Sequence, residues 1–277
     1  MISNLKRRLA GYYTIWANRE QQTEIHTLFG QKLKVMPGTI RATADQDDAW
    51  FTWLCGNKKK LFDIGANIGF TALIAGLRQM EKIVLVDPNP AALSKAAANL
   101  IHNNMALNIQ FVTTFVADTT GKTMPFYTVG TGAAGSMYKG HAHTAASIGS
   151  VQEVTTTTVD QLVKQLGWVP DLIKVDVEGA EVKVLEGARE TSATIRPWFM
   201  VEMHSPPELP MVKNAQLVLD WCTTSGYKAW YMKDAIQLES PNLIANRGKC
   251  HLLLLPEETK YPRELAEIPQ RSPLPDA

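Results

Sequence analysis

Cysteine is scarce in this chain: there are three, Cys55, Cys222 and Cys250, far apart and without a CxxC pair. An odd, scattered set argues against a disulfide framework and a thiolate zinc site, and a reducing, cytoplasmic setting is expected. An excess of one charge is lacking as well. The 28 basic and 27 acidic residues leave a formal charge of +1, and with no basic stripe no nucleic-acid partner is expected. No stretch approaches the ~20 apolar residues that a membrane span needs. The N-terminal MISNLKRRLAGYYTIWANRE is basic but lacks the continuous apolar run of a signal peptide. As an amphipathic helix it is read as packing on the protein's own body rather than on a membrane. Its Tyr12, Tyr13 and Trp16 make a reasonable homodimer surface.

What is present is an ordinary apolar content of 45% and, from Leu61 onward, short β-branched runs alternating with helical patterns. That alternation predicts βαβ units and a mostly parallel sheet with helices on both faces. KLFDIG, KIVLVDP, NIQFVTTFVAD, DLIKVDVEG and WFMVEMH read as the five main strands, and YKAWYM and CHLLLLP as two more. Pro90 sits at a helix start, where its missing N–H costs nothing. Between Thr119 and Ser150 a stretch rich in glycine, alanine, threonine and serine reads as a mobile loop or hairpin. Its His141 and His143 are a weak metal hint, and a solvated or substrate-covering loop is the preferred reading. The expected divisions are a helix and hairpin cap over 1–55, the α/β domain over 56–256 and a proline-rich tail over 257–277, extended or disordered.

LFDIGANIGFTAL places a tight turn between a strand and a helix, where backbone N–H groups can meet a polar ligand. The nicotinamide fingerprint GxGxxG fails, since its three glycine positions read Gly65, Asn67 and Phe70. The phosphate loop GxxxxGK[ST] fails too, because no lysine follows the turn. What remains is Asp63 at one strand end, the Gly65, Ala66, Asn67, Gly69 turn, and Asp87 before Pro88 at the next strand end, where such an acid accepts from ribose hydroxyls. A ribose without phosphates fits S-adenosylmethionine, whose cationic amino acid end suits Asp63. Asp118, ending the third strand, either reaches the adenine amino group or caps the following turn.

A second constellation lies in LIKVDVEGAE and WFMVEMH. Strand alternation puts Lys174, Asp176 and Glu178 on one side, and Met200, Glu202 and His204 on one side of the next strand. Charged groups in central parallel strands are costly except at the carboxyl end, where open α/β sheets bind ligands. His204 suits a general base, and Asp176 and Glu202, with or without His204, suit a divalent ion such as magnesium; Glu178 and His204 face a substrate. A buried Lys174–Asp176 ion pair, a loop tie through Glu202 and a structural His204 stand beside these readings.

FDIGANIGFTAL, VDPNPAALSKAAANLIHNN, VTTTTVDQL, LIKVDVEGAEVKVLEGA and VEMH, in this order, resemble the FkbM-type methyltransferases. The resemblance implies a Rossmann-like class I methyltransferase fold with a seven-stranded sheet, S-adenosylmethionine as cofactor, and methylation of a hydroxyl on a sugar or natural-product acceptor. Carried over, it makes Asp63, Gly65, Asn67 and Gly69 the cofactor turn and Asp87 the ribose acid, where similar proteins commonly have glutamate. It puts Asp176, Glu178, Glu202 and His204 at the substrate end. N-methylation of protein or nucleic acid, and adenosyl-ligand binding without chemistry, stay open as alternatives.

Overall fold

Two short strands, β1 (Glu24–Leu28) and β2 (Gln31–Val35), begin what the computed structural model describes, which is residues 22–41, 47–128 and 150–274. The turn between them, Phe29 and Gly30, has φ of 50° and 69°, the positive pair that matches the twist of a two-residue hairpin. Leu33 and Val35 point into the core. Asn99 fastens the hairpin: its Oδ1 accepts from Met36 N at 2.6 Å, and its Nδ2 donates to Thr39 Oγ1 and to Ile68 O, each at 2.9 Å.

The chain continues through α1 (Asp48–Asn57), β3 (Lys60–Ile64), α2 (Phe70–Leu77), β4 (Lys82–Val86), α3 (Pro90–His102) and β5 (Ile109–Val112). Asn89 caps α3, its Oδ1 accepting from Ala91 N and Ala92 N, and Pro90 takes the first helical position as expected. The expected third strand then divides. Thr113 and Thr114 separate β5 from β6 (Phe115–Val116), which leaves the main sheet and joins β7 (Thr123–Tyr127) and β8 (Val151–Thr157) in a sheet of its own. β7 and β8 flank the glycine-rich stretch; residues 129–149, with His141 and His143, lie outside the described residues, as do the N-terminal 1–21.

After β8 come α4 (Val159–Leu166), β9 (Leu172–Val175), α5 (Glu181–Glu186), α6 (Arg189–Thr194), β10 (Trp198–His204), α7 (Met211–Ser225), β11 (Tyr227–Tyr231), β12 (Ile236–Gln237), β13 (Lys249–Pro256) and α8 (Arg263–Ala266). The main sheet has the order β12-β11-β13-β10-β9-β3-β4-β5. Its β5, β4, β3, β9 and β10 pair in parallel, whereas β13 runs against β10 and β11, and β12 against β11. The sheet is therefore mixed and has eight strands rather than the expected seven, with six of the eight, β11 among them, running in one direction. The extra strand arises because the chain turns back after Met232, so that Ile236 and Gln237 pair with Tyr231 and Trp230.

Alternation within the buried strands makes two cores. Leu61, Leu85, Leu172, Met200 and Leu253 pack beneath α1, α2 and α3; Phe62, Val84, Ile173, Phe199 and Leu254 pack beneath α4, α5 and α7. As far as residue 274, the tail is docked and not loose. Leu265 is fully buried, and Trp50 Nε1 donates to Ile268 O at 2.9 Å. Leu265→Ala is expected to cost about 2–3 kcal/mol in urea unfolding, at the lower end of buried leucine truncations because the tail is short; a change within error would mean the tail contributes nothing. Among the described residues no helix is long and apolar enough to cross a membrane.

Candidate cofactor and acceptor site

At two positions the turn after β3 leaves no room for a side chain. Gly65 has φ +89°, and a Cβ there would stand 1.8 Å from Asp176 O. Its N–H donates to Val86 O at 2.8 Å, tying the turn to β4. At Gly69, φ +80°, a Cβ would meet Ala96 of α3 at 2.7 Å. One glycine lets β9 approach the turn and the other lets α3 approach it.

Two clefts open on either side of this turn. The first, about 620 Å³ with its open mouth, is lined by Gly65, Asn67, Asp87, Pro88 and Asn89, by apolar Val116 and Phe126, and by Asp176 and Glu178. The second is lined by Thr39, Arg41, Asp47, Gly65, Ala66, Asn67, Thr71, Lys174 and Asp176. Gly65, Asn67 and Asp176 border both.

Asp87 is pinned by backbone amides, accepting from Asn89 N at 2.8 Å and Asn67 N at 2.9 Å. Burial raises its pKa to about 6 against the lowering effect of those two bonds. A carboxyl whose pKa is higher folded than unfolded stabilises most below its unfolded value, and that stability is lost as pH rises through about 6. The ligand-free protein should thus lose about 2 kcal/mol relative to Asp87→Asn between pH 4 and pH 7. Paired denaturation curves measure this, and parallel pH profiles would refute it.

Two expected cofactor contacts fall outside the clefts. Asp63 is fully buried beneath the turn, accepting from Thr71 Oγ1 and facing Lys174 across the β3–β9 ladder. Burial raises its pKa, with Lys174 and Thr71 opposing. It organises the floor because its strand position points into the sheet face under α2. Asp118 turns toward Lys183 at 3.8 Å and does not border the first cleft.

At the ends of β9 and β10 the second constellation does converge. Strand β9 ends at Val175, and Glu178 follows with φ +54°. His204 Nδ1 bonds Glu181 Oε1 at 2.8 Å. His204 Nε2 stands 3.3 Å from Glu178, 3.5 Å from Glu202 and 3.9 Å from Asp176. Burial disfavours its charge, but Glu181 and Glu202 raise its pKa to about 11. Hemmed in by carboxylates, His204 is an imidazolium, and the general-base role expected for it does not fit. Lys174, also buried, is held protonated despite burial by Asp176, at 3.0 Å, and by Asp63. Asp176 has its pKa raised to about 6 by burial, with Lys174 opposing. Glu202 is kept ionised despite burial by His204 and His251, and Lys249 pairs with its Oε1.

Donor atoms of Asp176, Glu202 and His204 lie within 4.8 Å of one another, as do those of Asp47, Glu202 and His251. Sequence reasoning missed Asp47, Glu181 and His251. Glu181 was within reach, three residues beyond Glu178 in VEGAE, and His251 is the one polar side chain inside the apolar run CHLLLLP.

Compared with known proteins, the chain matches a family described as "Methyltransferase FkbM domain" over residues 63–228. None of the curated proteins compared with it matches. Among solved structures, the methyltransferase FkbM from Methylobacillus flagellatus KT is 16% identical with a TM-score of 0.47, over 72% of this chain and 44% of that one. TYW2 of M. jannaschii, in complex with AdoMet, is 12% identical with a TM-score of 0.42, over 85% of each chain. A SAM-dependent methyltransferase from Agrobacterium tumefaciens is 12% identical with a TM-score of 0.47, over 87% of this chain and 72% of that one.

Proposed function

Because the chain belongs to the FkbM methyltransferase family, we propose that it transfers a methyl group from S-adenosylmethionine to a hydroxyl of a small sugar or natural-product acceptor. The observation that carries this reading is the pair of clefts meeting at Gly65, Asn67 and Asp176, a site of two unlike halves. The first half offers a carboxylate, Asp87, beside the apolar Val116 and Phe126, which fits a ribose and a flat base. The second offers a cation, Arg41, and an anion, Asp47, with the Thr71 hydroxyl, which fits the carboxylate and ammonium of an amino acid. When bound, S-adenosylmethionine supplies a methyl group made electrophilic by its sulfonium.

The chain's own task is to hold the acceptor oxygen in line and to take its proton. Asp176 suits the second duty on geometry. Its side chain is 26% exposed and borders both clefts, while those of Glu202 and His204 are 6% and 5% exposed and already occupied. Lys174 and His204 position Asp176 from behind, and Glu178, bordering the first cleft beside it, faces the acceptor.

Titration calorimetry with S-adenosylmethionine, S-adenosylhomocysteine and NAD tests the cofactor. Micromolar binding of both adenosyl ligands and none of NAD is expected, with Asp87→Ala weakening binding about tenfold to a hundredfold through lost charge-assisted hydrogen bonds. No binding by the folded protein would sink the reading. A screen of hydroxylated acceptors with labelled methyl donor then separates O-methylation, read as a methyl ether, from N-methylation and from binding without turnover.

A further inference from the structure

Where α1 meets β10 and β13, a group of charged side chains lies behind the second cleft, and of these only Asp47, which borders that cleft, also enters the methyl-transfer reading above. Asp47, Glu202 and His251 are 4%, 5% and 3% exposed. Glu202 and His251 are partners across the β10–β13 ladder, and the edge of the Trp50 ring closes over the imidazole with centroids 5.9 Å apart. His251 Nε2 stands 3.4 Å from Glu202 Oε2 and 3.7 Å from Asp47 Oδ2, within ion-pair range. Neither nitrogen of His251, nor Asp47 Oδ1, has a hydrogen-bond partner among the described residues. Buried polar groups are as a rule hydrogen-bonded, so an imidazole left without a bond between two carboxylates calls for a ligand.

We propose that Asp47, Glu202 and His251 hold a divalent transition-metal ion of the zinc or manganese class. The donor set is one imidazole nitrogen and two carboxylate oxygens, all within 4.8 Å of one another; mixed nitrogen and oxygen ligands favour these ions over calcium or magnesium, which take oxygen sets. Donors bound to one ion at ~2.1 Å stand about 3.0–3.4 Å apart at octahedral or tetrahedral angles. The two separations from His251, 3.4 and 3.7 Å, need close by only a few tenths of an ångström, while Asp47 and Glu202 start within 4.8 Å of each other. Asp47 also borders the second cleft, which gives an ion a way in from solvent.

The neighbouring triad of Asp176, Glu202 and His204 has the same composition, but its groups are already engaged. Lys174 holds Asp176, Lys249 holds Glu202 Oε1, and Glu181 holds His204 Nδ1. Glu202 presents its other oxygen, Oε2, to His251. One shared glutamate thus meets cationic side chains on one side and the ion on the other.

The test is metal retention by the full chain with no cofactor or acceptor present, so its failure and that of the methyl-transfer reading are separate results. The protein is stripped with chelator, reloaded with Zn²⁺ or Mn²⁺, dialysed, and its metal counted by mass spectrometry alongside its melting temperature. One ion per chain and a raised melting temperature are expected. Asp47→Asn and His251→Gln should each cut retention about tenfold or more, and Asp176→Asn should keep it. If His251→Gln fails to fold, Asp47→Asn, which preserves shape, carries the test. A folded wild-type protein that retains no metal would leave His251 as an imidazolium between two carboxylates and overturn the proposal. So would loss of the ion in Asp176→Asn alone.

Discussion

Asp176→Asn is expected to lower turnover about a hundredfold to ten-thousandfold, the range lost with a general base, while cofactor affinity moves by less than tenfold. The substitution keeps the size of the side chain and leaves Asp176 O where it closes against Gly65, so the turn should stay intact. What it removes is the one acid of the cluster that is both partly exposed and bordering the two clefts. Lys174 keeps Asp63 as a neighbouring anion, which limits the damage to folding. Single-turnover assays set beside calorimetric titration of the same protein separate the two effects. Unchanged turnover would remove Asp176 from the chemistry. Equal losses in turnover and affinity would instead make it a cofactor ligand.

Glu181→Ala should cost about 3–5 kcal/mol, the penalty for removing one member of a buried ion pair. Glu181 is fully buried at the start of α5, and three groups converge on its carboxylate: Gly179 N at 2.9 Å, Asn214 Nδ2 at 3.1 Å and His204 Nδ1 at 2.8 Å. Asn214 Nδ2 also donates to His204 O at 2.9 Å, so α5, α7 and β10 are bound through this one side chain. Truncation leaves an imidazolium and an amide facing a cavity. Urea midpoints compare the variant with wild type, and Glu181→Gln, which retains a hydrogen-bond acceptor, should lose less. A loss below about 1 kcal/mol in the alanine variant would show that the contacts of this residue do not carry the local fold.

The central strands could be read from sequence because each is buried on both faces, so KLFDI, KIVLV, LIKV and WFMVEMH appear as nearly unbroken apolar runs. The break between Val112 and Phe115 could not. Thr113 and Thr114 suit a strand as well as a bend, and only pairing with β8 shows that Phe115 has changed sheets. β12 was hidden for another reason: two residues carry no period, and Ile236 and Gln237 are a strand only through Tyr231 and Trp230.

The site divides along similar lines. Gly65 and Asp87 were readable because the demands on them are local, a turn without room and an acid at a strand end. The role of His204 was not, because an imidazole alone suggests a base, and only the fold brings the carboxylates that hold its proton together from two separate segments, Asp176, Glu178 and Glu181 between the end of β9 and the start of α5, and Glu202 on its own strand. Asp63 misled in the opposite way. Its place in the motif suggested a ligand contact, while its register beside Lys174 turns it inward.

The amide of Asn99 joins segments that are distant in sequence, the backbone after β2 at Met36, the Thr39 hydroxyl and the Ile68 carbonyl in the turn. Arg41 and Thr39 of the second cleft therefore cannot swing outward independently of the glycine turn between the two clefts. Mechanically the arrangement is a hinge pin: a ligand gripping the turn also steadies the hairpin more than 25 residues upstream. Deuterium uptake at Met36 N–H should slow when the clefts fill, although that proton touches neither of them.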